Sequence, residues 1–110
     1  MPHFMVRCQF TDASAKAMVG KPQDRTGMAS ALCEGFGGKL NSYYFAFGDY
    51  DVIAISEFPD NTSALAASLA ATSTGGFSRF ETTPLMTGKE AEAAMKRAHG
   101  AKTAYQPPHA

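Results

Sequence analysis

With 110 residues, ten basic and ten acidic, the chain has room for one domain and carries no formal net charge. That balance argues against a nucleic-acid or anionic-membrane protein, which normally shows a basic excess or stripe, and a 45% hydrophobic fraction argues against a chain disordered along its length. A domain this small buries only about two-thirds of the surface its unfolded chain exposes, so a partner subunit would add to its stability.

The first element is a strand over His3 to Phe10, where Phe4, Val6, Cys8 and Phe10 alternate with His3, Met5, Arg7 and Gln9. Thr11 and Asp12 suit the cap of a helical stretch that Gly20, Lys21 and Pro22 interrupt. The helix is expected to resume near Gln23, with Met28, Leu32 and Phe36 as a stripe helped by Ala31, and to end at Gly37 and Gly38. Leu40 to Phe47, rich in Tyr and Phe, reads as a second strand. A tight turn at Gly48, Asp49 and Tyr50 leads into a third, Asp51 to Phe58, making a hairpin.

Pro59 stops that strand, and Asp60 or Asn61 caps an Ala-rich helix running to about Ser73, its small side chains suited to close packing on a sheet. Gly75 and Gly76 follow, then a fourth strand from Phe77 to Thr83 that Pro84 closes. Thr87 with Glu90 is a capping box opening a last helix, whose Lys96, Arg97 and His99, with Lys102 beyond, are cations placed at a helix C-terminus. The expected organisation is one domain over residues 1–99 and an extended or poorly ordered tail over 100–110. The order β-α-β-β-α-β plus a C-terminal helix is that of an α+β, ferredoxin-like antiparallel sheet with both main helices on one face.

Cys8 and Cys33 stand alone, with no C-x-x-C pair and no zinc spacing, so both are expected to be structural and dispensable for function. With no secretory signal and no run of ~18 apolar residues, the expected location is cytoplasmic and no membrane is implied.

Gly37 to Pro59, GGKLNSYYFAFGDYDVIAISEFP, resembles the GYD-domain family of small bacterial proteins. The resemblance continues through Asp60-Asn61, the Ala-rich helix, Glu81-Thr82-Thr83 and the Thr87-to-Glu90 helix start, covering roughly Phe4 to Ala98. It implies the fold of dimeric α/β-barrel proteins. The family is functionally uncharacterised, so the resemblance supplies no catalytic residues and no cofactor. Its Gly-Tyr-Asp element stands here as Gly48-Asp49-Tyr50-Asp51, with Asp49 intervening.

Gly35-Phe36-Gly37-Gly38-Lys39 has the look of a phosphate loop, but helix precedes strand and no Ser or Thr follows Lys39, so it reads as a helix C-cap. Asp49 and Asp51 bracket the turn and are read as turn formers before an acid–base pair, with Tyr50 packing over the hairpin end or reaching a partner. His3, His99 and His109 have no metal-ligand spacing, and no catalytic triad can be assembled.

The strand faces carry the remaining signal. With Phe4, Val6 and Cys8 toward the helices, a set comprising Arg7, Gln9, Tyr43, Glu57, Arg79 and Glu81 falls on the opposite side of the sheet, facing a partner's sheet in a barrel dimer. That set is either a wet interface of cross-strand ion pairs or a ligand site. Tyr43, Phe45, Ile53 and Ile55 beside it would leave a monomer with a large apolar patch, so at least a homodimer is expected. Two functional classes follow. One is an oligomeric binding or assembly module holding a small anionic or carbonyl-bearing molecule; the alternative is a cofactor-independent enzyme, of isomerase or oxygenase type, using the same cavity.

Overall fold

The computed structural model describes residues 1–108 of the chain; of the tail expected over residues 100–110, His109 and Ala110 lie outside them. Eight elements follow in order: β1 (His3–Phe10), α1 (Asp12–Gly20), α2 (Thr26–Gly35), β2 (Lys39–Phe45), β3 (Val52–Glu57), α3 (Asn61–Thr72), β4 (Phe77–Leu85) and α4 (Gly88–Gly100). All strand pairs are antiparallel and the sheet order is β2-β3-β1-β4, which is the ferredoxin-like arrangement.

The helix starts have local causes. Thr11 Oγ1 accepts from Ser14 N–H and caps α1, and Asp60 Oδ1 accepts from Ser63 N–H at 2.8 Å and caps α3. Thr87 and Glu90 form the full capping box of α4. Helix α2 begins at Thr26, three residues later than Pro22 suggested, because Asp24 Oδ1 captures both the backbone N–H and the hydroxyl of Thr26. The Gly-rich segment after α2 is a helix C-cap. Gly37 has φ +76°, its N–H donates to Glu34 O, and Gly38 N–H donates to Cys33 O at 2.8 Å.

Two strand boundaries differ from the sequence pattern. Strand β4 runs through Pro84 to Leu85, because β4 is an edge strand and Pro84 needs a partner, Phe4, on one side only. The connection from β2 to β3 spans Ala46 to Asp51 and is a wider loop than a tight turn. It is tied down by Ala46 N–H to Asp51 O and by Asp51 N–H to Cys8 O, both 2.8 Å.

The core lies between the sheet and α2 and α3. Phe4, Cys8, Val52, Ala54 and Phe58 come from the sheet side, and Cys33, Ala64, Ala67 and Ala71 from the helices. Helix α3 turns its alanines inward and leaves Leu65 and Leu69 exposed, so its close approach to the sheet rests on small side chains. On α2 it is Cys33 that is buried, while Met28 of the expected stripe is 61% exposed.

The other sheet face is uncovered. Helix α4 buries no residue and packs on no other element to any extent. The accessible surface is 7898 Å², whereas a compact monomer of this mass would show about 5,900 Å². The radius of gyration is 18.0 Å, against about 13 Å for a compact chain of this length.

Candidate functional site on the open sheet face

Strand register decides which side chains meet on the uncovered face. Across the sheet, Tyr44, Ile53, Arg7 and Glu81 form one row, and Ser42, Ile55, Met5 and Thr83 the next. Arg79 pairs with Gln9 one row beyond. The alternation that buries Phe4 and Cys8 therefore places Arg7 and Gln9 on this side, as their positions in the sequence require.

Arg7 Nη2 donates to Glu81 Oε2 at 3.0 Å, and Arg79 Nε lies 3.5 Å from Glu81 Oε1. Tyr50 arrives from the β2–β3 loop and reaches across β1, where its hydroxyl donates to Glu81 Oε2 at 2.9 Å. Both guanidinium groups lie against the Tyr50 ring, with their central carbons 4.7 and 4.9 Å from its centroid. One carboxylate thus serves two guanidinium groups and a phenol, and the cluster keeps one unit of positive charge. Arg7 Nε is buried there with no hydrogen-bond partner among the described residues, a donor left to spend.

Asp51 positions Tyr50. Its Oδ2 accepts the Phe10 N–H at 2.9 Å, fixing the loop to the end of β1 where the β1–β4 register shifts. This is the turn-forming role read from the sequence, and Asp51 faces backbone, away from the arginines. Asp49 is exposed.

Of the six residues expected to share this face, Arg7, Arg79 and Glu81 come together, and Gln9 borders them, accepting from Ser78 Oγ at 3.3 Å. Glu57 is on the same face but at its far end, opposite His3, whose Nε2 is 3.9 Å from its carboxylate. Tyr43 does not join the set. A register shift between Leu40 and Ser42 reverses the parity of β2, so Tyr43 pairs with Ala54 and faces the helices, and Phe45 stacks on Phe10 there. Ser42 and Tyr44 take their places on the open face. Tyr50 is the member the strand pattern could not supply, since a loop residue has no parity; its place beside two aspartates in the loop was the only sign.

A GYD domain family model matches residues 4–95. The chain belongs to the GYD domain family. No curated protein matches it. The Gly48-to-Asp51 element of this GYD domain thus divides its work, Asp51 holding the loop and Tyr50 completing the charged cluster.

On the opposite side of the sheet, a cavity of about 280 Å³ opens between β1, β3 and the helices. Burial pushes the Cys8 thiol there up to about 11, with the Asp51 charge adding to it, and also raises Cys33 and Tyr43. Neither thiol is an activated nucleophile at neutral pH. Among the described residues no helix is long and apolar enough to cross a membrane, and no group of His, Cys, Asp and Glu is arranged to hold a metal.

Proposed function

We propose that this GYD domain works as a homodimer or larger homo-oligomer that closes open sheet faces on each other and holds a small anionic or carbonyl-bearing molecule at the Arg7–Tyr50–Glu81–Arg79 cluster. The observation that carries the reading is the unequal charge count on an otherwise apolar surface. Met5, Ile53, Ile55 and Tyr44 surround a cluster in which two guanidinium groups share one carboxylate. A face of that kind gains by being covered. Once it is covered, the uncompensated cation favours an anion, and a guanidinium fork suits a carboxylate. The excess surface of the single chain and the unburied α4 also favour an assembly.

The hydrogen bond from Tyr50 to Glu81 favours a second reading, a cofactor-independent enzyme in which that pair passes a proton to or from the bound carbonyl compound. Binding comes first in either case. Arg7→Met decides whether the cluster is a site or only a set of ion pairs. A binding site predicts that the variant keeps its assembly state and melting temperature within a few degrees and loses affinity for small carboxylates in a calorimetric screen. Arg7 and Glu81 are each about one-third exposed, so the lost pair alone costs no more than about 1 kcal/mol in the single chain. A variant that loses its assembly, from a parent that binds no carboxylate, leaves only the ion-pair role.

A further inference from the structure

The helix-covered face carries a cavity, on the other side of the sheet from the cluster at Tyr50. The helices lie on β1 and β3 without filling the space above them, because what they fully bury is small: Ala64, Ala67 and Ala71 from α3, and Cys33 from α2. The resulting cavity, about 280 Å³, is close to the lower end of the roughly 300–1,000 Å³ of small-molecule pockets.

Its polar groups are few and placed at opposite ends. Deep in the sheet wall is Ser56, 1% exposed, whose Oγ has no hydrogen-bond partner among the described residues. A buried hydroxyl without a partner is rare and points to a group that binds it. The hydroxyls that α3 and β4 bring to the cavity are spent, since Ser68 Oγ and Thr82 Oγ1 bond each other at 2.7 Å and Ser68 Oγ donates to Ala64 O. Toward the mouth are exposed Met28 and half-buried Arg25, whose charge acts on the hydroxyl of half-buried Tyr43. Tyr43 pairs with Ala54, two residues from Ser56 on β3, which separates their rows by about 7 Å. Arg25 makes no ion pair among the described residues, and the neighbouring Asp24 carboxylate is taken up by Thr26. Between the two ends the walls are apolar, and include the two thiols, alanine methyls and the Phe58 and Phe80 rings.

We infer that this cavity binds a small aromatic monocarboxylate, its ring between the sheet and the α3 alanines, a phenolic oxygen on Ser56 Oγ and its carboxylate on Arg25. Arg25 supplies a planar fork for the carboxylate and Tyr43 a protonated hydroxyl beside it. Ser56 accepts from or donates to the oxygen at the far end of the ring. An aliphatic acid of similar length would satisfy Arg25 and leave Ser56 unpaired.

The test uses the full chain with 4-hydroxycinnamate, and with cinnamate and octanoate as comparators, in calorimetric titrations and methyl NMR. The expected order is 4-hydroxycinnamate above both comparators by about tenfold, the worth of one hydrogen bond. The methyl signals of Ala64, Ala67 and Ala71 should move and those of Ile53 and Ile55, on the open face, should not. Ser56→Ala should erase the advantage of the phenol with the fold intact. Ala67→Leu, which fills the cavity, should abolish binding; should that variant fail to fold, Ser56→Ala alone decides. Octanoate binding as tightly as 4-hydroxycinnamate, or no binding of any probe at millimolar concentration, overturns the inference. Shifts confined to Ile53 and Ile55 overturn it too, and would place the acid at the open-face cluster instead.

Discussion

The two faces of this four-stranded sheet solve the problem of burial in opposite ways. The face under α2 and α3 is closed within the chain, and its buried side chains are neutral and mostly small, so what it leaves over is space. The face away from the helices is open, with Ile53, Ile55 and Met5 set among Arg7, Arg79 and Glu81, so what it leaves over is charge and apolar area. Space calls for a ligand with an apolar body, whereas exposed area with an unbalanced cation calls for a partner surface and an anion. The same β1 strand supplies both, through residues that alternate along it.

The largest effect expected tests how tightly the closed face is closed. At Gly38 a Cβ would run into the Glu57 carbonyl and lie 2.6 Å from the Phe58 ring, so neither backbone nor packed aromatic can yield cheaply. Gly38→Ala should cost about 3 kcal/mol in chemical denaturation. Gly48, in the loop that serves the open face, meets nothing within 4 Å, and Gly48→Ala should move the midpoint little. Equal costs at the two positions would mean that the Glu57 backbone and the Phe58 ring can shift to admit a Cβ at Gly38.

A smaller effect separates the faces by pH. The Cys8 thiol is raised from 9.0 to about 11 by burial first and by the Asp51 charge second, and the residue is 3% exposed. A thiol raised in the folded state keeps its proton there after the unfolded chain has lost it. Its contribution is complete below pH 9 and declines as pH rises toward 11. The loss over that window is on the order of 2–3 kcal/mol. Denaturant midpoints at pH 8 and 10.5 should therefore diverge, and Cys8→Ala should narrow the divergence. Cys33 and Tyr43, raised in the same direction, would leave a residue of it.

How much of this was legible in the sequence depends on whether a feature is periodic. Alternation in β1 separated Arg7 and Gln9 from Phe4 and Cys8, and the Thr87–Glu90 spacing announced the capping box, because both signals live within a few residues. Parity in β2 failed at Asn41, where one extra residue reverses every side chain after it and carries Tyr43 and Phe45 to the helix side. No residue type announces such an irregularity. Tyr50 was out of reach for a different reason: its contacts with Arg7, Arg79 and Glu81 join three segments far apart in the chain. The cavity was legible only as an excess of alanine in α3, which equally suits a close-packed layer.

The smallest effect concerns the element that belongs to neither face. Helix α4 carries its own capping box and basic last turn, with Arg97 and His99, so its ends are stabilised locally. None of its residues is buried, and Met95 is 68% exposed. Thr87→Ala removes the acceptor for Glu90 N–H, a loss of about 1 kcal/mol. If α4 stands apart from both faces, that loss stays within the helix. Amide exchange should then quicken from Gly88 through Gly100 while the melting temperature of the domain holds. A fall in the melting temperature that grows on dilution would show the reverse: α4 would then be part of the surface through which copies of the chain meet, and the assembly would extend beyond the open sheet face.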